Sequence, residues 1–141
     1  MIVSVPKAML VVERKSPGVF RATYSDWYVA GFAYRRKEQL PRSRRELGDA
    51  RRRLVAEIRR RDRDFKLVSS STTRAAGSRA VQVVGDQVLD KRRVRTRSLH
   101  VYKGRGEYVL ELAGPVGDFA ALDRDVFDRV VRSLSVTGKP R

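Results

Sequence analysis

The chain has 141 residues, of which 41% are hydrophobic and 34% charged, with a formal net charge of +16. This suits one domain with a buried core and argues against wholesale disorder. The lack of cysteine excludes disulfides and thiolate metal sites, and no run reaches the roughly 18 consecutive apolar residues of a membrane helix.

From the N-terminus, Ile2 to Val5 is a short β-branched run ended by Pro6 and reads as a first strand. Met9 to Glu13 makes a second, closed by the turn Ser16-Pro17-Gly18. Val19 to Tyr24 and Trp27 to Arg35 form two strands joined through Ser25-Asp26. In the later strand, Tyr28, Ala30, Phe32 and Tyr34 share one face and Trp27, Val29, Gly31 and Ala33 the other. With apolar residues on both faces, this strand is expected to be covered on both sides.

After Pro41 and Ser43 the apolar period changes. Leu47, Ala50, Leu54, Val55 and Ile58 recur at helical intervals, predicting a helix from Arg44 to about Arg61. Leu54 and Ile58 each fall within about 20° of Leu47, a narrow stripe for the core. Arg45, Arg52, Arg59 and Arg63 cluster near the opposite side.

Asp64 to Thr73 reads as a strand, Ala75 to Ser78 as a turn around Gly77, and Arg79 to Val84 as a further strand. A break or bulge is expected over Gly85 to Asp90 before a strand from Arg92 to Tyr102. Lys103-Gly104-Arg105-Gly106 is a hairpin turn, and Glu107 to Ala113 returns antiparallel. This closure sets Val101 opposite Tyr108 and Leu99 opposite Leu110 on a buried face. The other face carries Ser98, His100, Tyr102, Glu107, Val109 and Glu111. Asp123 is placed as N-cap of a last helix bearing Val126, Phe127, Val130, Val131 and Leu134. Residues 1–136 form a single domain, and 137–141 are expected to be a disordered tail.

Charge narrows the partners. Twenty-five of the 32 basic residues are arginine, ten of them between Arg42 and Arg63 against the four acids Glu46, Asp49, Glu57 and Asp62. The excess reflects either anion recognition by guanidinium forks or the codon usage of a GC-rich genome. Arg45, Arg52, Arg59 and Arg63 are the partner-binding candidates, suited to phosphates or to an acidic protein surface. The stacking aromatics of single-stranded nucleic-acid binders are missing there, as is helix-turn-helix spacing. The helix's apolar stripe lacks Trp and Phe and must cover the sheet, which argues against membrane-surface binding. Arg93, Arg95 and Arg97 alternate along one strand face and read as a solvated rim.

No residues compose a catalytic, cofactor-binding or metal site. His100 is the single histidine, near Ser98, Tyr102 and Glu111, and reads as a half-exposed histidine bonded to a carboxylate; a ligand or hydrolytic site there requires a pocket. The Lys103 to Gly106 turn precedes no helix and is not a phosphate loop. Tyr24, Trp27, Tyr28, Phe32 and Tyr34 either pack a core or line a pocket.

A start in "VSVPK", one long helix, "DFKLVSSSTT", "GSRAVQVV", the hairpin "VRTRSLHVYKGRGEYVLELAGP" and a closing "FDRVVRSLSV" together resemble the PsbP/Mog-like superfamily, including DcrB-like and PsbP-related bacterial proteins. The residues carrying the likeness are Gly77-Ser78-Arg79-Ala80, then Tyr102, Gly106, Tyr108 and Leu110, and finally Phe127, Val130, Ser133 and Leu134. The resemblance implies an α+β fold, an antiparallel β-sheet sandwiched between helices (α/β/α). It also implies a non-enzymatic binding or assembly module, accessory, chaperone-like or envelope-associated, that needs no cofactor. Here the expected partner is a protein with an acidic surface, with nonspecific nucleic-acid binding as the alternative. The chain departs from the superfamily in lacking the tryptophan often found after the early proline and a lipoprotein cysteine. Its location is expected to be cytoplasmic if the chain is complete and extracytoplasmic if a signal segment has been removed.

Overall fold

Seven strands and two helical layers make up a computed structural model that describes residues 1–140. The strands are β1 (Leu10–Glu13), β2 (Gly18–Tyr24), β3 (Trp27–Arg35), β4 (Lys66–Ala75), β5 (Ser78–Leu89), β6 (Arg92–Lys103) and β7 (Gly106–Pro115). They form one antiparallel sheet in the order β1-β2-β3-β7-β6-β5-β4. Helix α1 (Arg44–Arg61) connects β3 to β4. After β7 the chain runs through a 3-10 turn (Val116–Asp118), α2 (Phe119–Leu122), a π turn (Asp123–Phe127) and α3 (Asp128–Arg132).

Local chemistry explains the long helix. Ser43 caps it, its hydroxyl accepting from the Glu46 N–H at 3.1 Å, while the Glu46 carboxylate reaches back to the Arg42 N–H at 3.2 Å. Leu47, Ala50 and Val55 are buried under it. The helix stops where Asp62 turns to extended backbone.

Each face of the sheet is covered in part. On one, Leu99, Val101, Tyr108, Leu110 and Leu112 pack with Phe119, Phe127 and Val130 of the C-terminal helical stretch. On the other, α1 packs chiefly over β4 and β5, where Leu47, Val55, Phe65, Val81 and Val83 form a second cluster. The 6–7 hairpin has the expected register, with Val101 opposite Tyr108 and Leu99 opposite Leu110.

Four sequence expectations need correction. Ile2 to Val5 is not a strand: Ile2 makes only a bridge to Ser135, with two bonds of 2.9 Å. β1 already occupies the sheet edge beside β2, so this β-branched run has no ladder to join. Gly85 does not break β5, which runs from Ser78 to Leu89, although the ladder to β4 does shift register beside it, between Leu67 and Ser69, as a bulge would. The Phe65 ring lies directly over Gly85, where a Cβ would come within 2.2 Å of Cζ, so the glycine makes room for an aromatic. Asp123 is no N-cap, because the chain is already helical from Val116. It lies inside the helical stretch at the start of the π turn, where its carboxylate binds Arg97.

Arg97 is the fourth. Its side chain is only 13% exposed and binds Gln82 at 2.7 Å and Asp128 at 2.8 Å as well as Asp123, with its guanidinium 5.0 Å from the Phe127 ring centre. It fastens the C-terminal helices to the sheet. Arg95 likewise pairs with Asp86 at 2.7 Å, and the two aspartates of α3 and the π turn were too far away in sequence to be foreseen as partners. Of the tail, Arg141 lies outside the described residues. Before it, Arg105 N–H donates to the Gly138 carbonyl at 3.3 Å and Lys103 Nζ to that of Val136 at 3.1 Å.

Candidate functional site

Arg45, Arg52 and Arg59 recur every seven residues along α1, so they stack on one side of it, all exposed. The row is about 21 Å long at helical rise. Arg63, also exposed, follows two residues past the helix end. Arg52 pairs with Asp49, whereas Arg45, Arg59 and Arg63 form no ion pair among the described residues. Glu57, also exposed on α1, is held by Arg60 at 2.9 Å.

A second feature lies on the inner side of α1. Because the helix sits over β4 and β5, it leaves the same face of β3, β7 and β6 open, and a cleft of about 510 Å³ forms between the helix edge and these strands. Phe32, Tyr34, Leu54, Ile58, Phe65 and Val109 give it apolar walls. Phe32 and Tyr34 stack with ring centres 6.3 Å apart and planes 18° from parallel. His100, Glu107 and Glu111 project from the hairpin into the same space, with Arg36, Arg61 and Asp62 at the rim. The pocket that a site at His100 requires is therefore present. It arises from the placement of α1, which a flat two-stranded face does not reveal.

The polar groups are unevenly satisfied. Glu107, whose side chain is 8% exposed, accepts Arg36 Nε at 2.7 Å and lies 2.9 Å from His100 Nδ1. Burial pushes the Glu107 carboxyl up, but the His100 bond and charge and those of Arg36 outweigh it and hold it below the ordinary range. Glu111 has only the Tyr28 hydroxyl, at 3.4 Å, and no ion pair among the described residues. Burial dominates there and raises its carboxyl above the ordinary range, against the Tyr28 bond and the charges of His100 and Arg21. Arg21 lies 4.0 Å over the Tyr28 ring.

His100 and Glu111 share the hairpin face as the sequence implied, but the carboxylate bonded to the histidine is Glu107. Both glutamates are diagonal to His100, which stands opposite Val109, so the hairpin alone does not choose between them. Arg36 and Tyr28 went unforeseen because they reach the site through the β3–β7 pairing. Of the aromatic set, Phe32 and Tyr34 line the cleft, while Trp27 packs against the opposite core.

Glu111→Gln is expected to raise stability at neutral pH. A raised folded value means that ionising Glu111 opposes folding as pH rises past its unfolded value, so the variant's advantage should grow above about pH 4.3 and vanish below it. Urea midpoints across pH measure this; an advantage that is flat with pH would assign it to packing instead.

No protein-family profile matches the chain, and no curated protein matches it in sequence. Solved structures do. The cyanobacterial PsbP, CyanoP, from Synechocystis sp. PCC 6803 aligns over 94% of this chain and 84% of its own at a TM-score of 0.68 and 10% identity. The fold is PsbP-like. The same PsbP-like architecture aligns with PA94, a Pseudomonas aeruginosa protein of unknown function, at a TM-score of 0.65 and 12% identity, covering 99% of this chain and 87% of that one. LpqN, involved in cell envelope biogenesis of Mycobacterium tuberculosis, aligns at 0.64 and 12% identity over 96% of this chain and 82% of its own. No helix of the PsbP-like domain among the described residues is long and apolar enough to cross a membrane.

Proposed function

We propose that this chain is a non-enzymatic accessory module that docks an acidic protein surface through Arg45, Arg52, Arg59 and Arg63. The observation that carries this reading is the exposed guanidinium row on the outer side of α1, on a chain of net charge +16. Such a row steers and orients an acidic partner and makes binding salt-dependent. The PsbP-like fold shared with CyanoP and LpqN supports an accessory role. The absence of aromatic side chains beside the arginines argues against single-stranded nucleic acid.

The test separates the row from general charge. Poly-glutamate binding is compared between a variant with Arg45→Glu, Arg52→Glu, Arg59→Glu and Arg63→Glu and a control with four other exposed arginines reversed, Arg14, Arg35, Arg92 and Arg132. The row variant is expected to bind about tenfold more weakly than the control at ~0.15 M salt. Equal weakening overturns the assignment. Tighter binding to duplex DNA than to poly-glutamate at matched salt replaces it with the nucleic-acid reading.

A further inference from the structure

The cleft under α1 has a charge balance opposite to that of the chain as a whole. Its lining carries two guanidinium groups, Arg36 and Arg61, against the carboxyl groups of Asp62, Glu107 and Glu111, on a chain of net charge +16. Charges farther away than about 8–10 Å are largely screened at physiological salt, so the local balance governs what enters. The volume, about 510 Å³, is that of a small-molecule site, and the walls combine apolar side chains with convergent polar ones.

The cleft also contains a pattern with one part open. The Arg36 guanidinium lies 4.9 Å from the Tyr34 ring centre and bonds Glu107, so one cation is already held between an aromatic ring and a carboxylate. Glu111, four residues along β7 and on the same face, stands in the position of Glu107 without its cation. Phe32, two residues before Tyr34 on β3, pairs with Val109 and so stands diagonal to Glu111, whose direct partner Ala30 has no ring and leaves the space beside the carboxylate open. Arg21 does not fill the gap: it rests on Tyr28 and makes no ion pair with Glu111. An anionic ligand would face three carboxyl groups, and an uncharged apolar one would leave Glu111 buried with no ion-pair contact, which is costly.

We propose that this cleft binds a small organic cation with a flat apolar body, its charged end received by Glu111 and its ring lying on Phe32. His100 has its Nδ1 engaged by Glu107, which leaves Nε2 as the second polar contact for an N–H or O–H of the ligand. This site is independent of the arginine row, which lies on the outer side of α1.

Benzamidinium serves as the probe, with benzamide and benzoate as neutral and anionic counterparts of the same shape. Titration followed by NMR is expected to show benzamidinium shifting the Phe32, His100 and Glu111 resonances, with benzoate at least tenfold weaker. Glu111→Gln keeps the side-chain shape and removes a buried charge, so it folds; it should weaken benzamidinium about tenfold while leaving benzamide unchanged. Affinity should also rise with pH as Glu111 ionises. The other groups facing it are Tyr28 and Tyr34 from β3 with Arg36 just beyond it, Arg21 from β2, His100 from β6, Glu107 from β7, and Arg61 and Asp62 across the cleft. A rise that survives in Glu111→Gln belongs to one of these and overturns the proposal. Benzoate binding as tightly as benzamidinium, or probe shifts confined to exposed acids, overturns it too. Poly-glutamate binding by the Glu111→Gln variant should be unaffected.

Discussion

Phe127→Ala is expected to lose about 3–5 kcal/mol of stability, the range for removing a buried aromatic ring and leaving a cavity. Phe127 is 0% exposed, among the largest fully buried side chains, and it sits in the π turn between α2 and α3. Its ring also backs the Arg97 guanidinium, which holds Asp123 and Asp128. One truncation therefore removes apolar burial and loosens the bonds that tie the helices to β6. Urea denaturation should show a lower midpoint with little change in slope. A loss below about 1 kcal/mol would mean that the C-terminal helices are not a principal part of the core. The cleft is on the opposite face of the sheet, so the His100 resonance should move little in the folded variant.

Glu107→Ala is expected to lose about 3 kcal/mol at neutral pH, the order found when one member of a buried charged network is removed. Two partners lose their acceptor at once: His100, 12% exposed, and Arg36. The pH dependence distinguishes this from simple truncation. The Glu107 carboxyl is held below its ordinary range in the folded chain, so its contribution is present above about pH 4.3, the unfolded value, and is lost as pH falls through the depressed folded one. The difference between wild type and variant should therefore shrink in acid. Denaturation at neutral pH and near pH 3 decides it, and a difference that stays constant would attribute the loss to packing alone.

The local parts of the fold were legible in the sequence. Trp27 to Arg35 and Arg44 to Arg61 match β3 and α1 at both ends, because apolar period and capping are written within each segment. The hairpin register from Val101 and Tyr108 followed from the turn at Gly104. Gly85 was half legible: the β4–β5 ladder shifts register beside it, but the strand does not break, and only the Phe65 ring above it explains the glycine. Arg97 misled for a related reason: an alternating basic strand looks solvated until distant aspartates and Phe127 close over it. The α/β/α layering was anticipated through the family resemblance. The cleft was not, since it depends on α1 covering only part of one face.

That face is crossed by a single long-range join. β1 to β3 pair in sequence, β4 to β7 pair in sequence, and only the β3–β7 ladder connects the two meanders. The Arg36–Glu107 and Tyr28–Glu111 bonds span this join, their partners 71 and 83 residues apart in the chain. Bringing such remote segments together is the entropically slow part of forming a sheet. The polar side chains lining the cleft are thus also rivets across the seam between two hairpin ribbons, and an occupant bridging them would slow its unzipping.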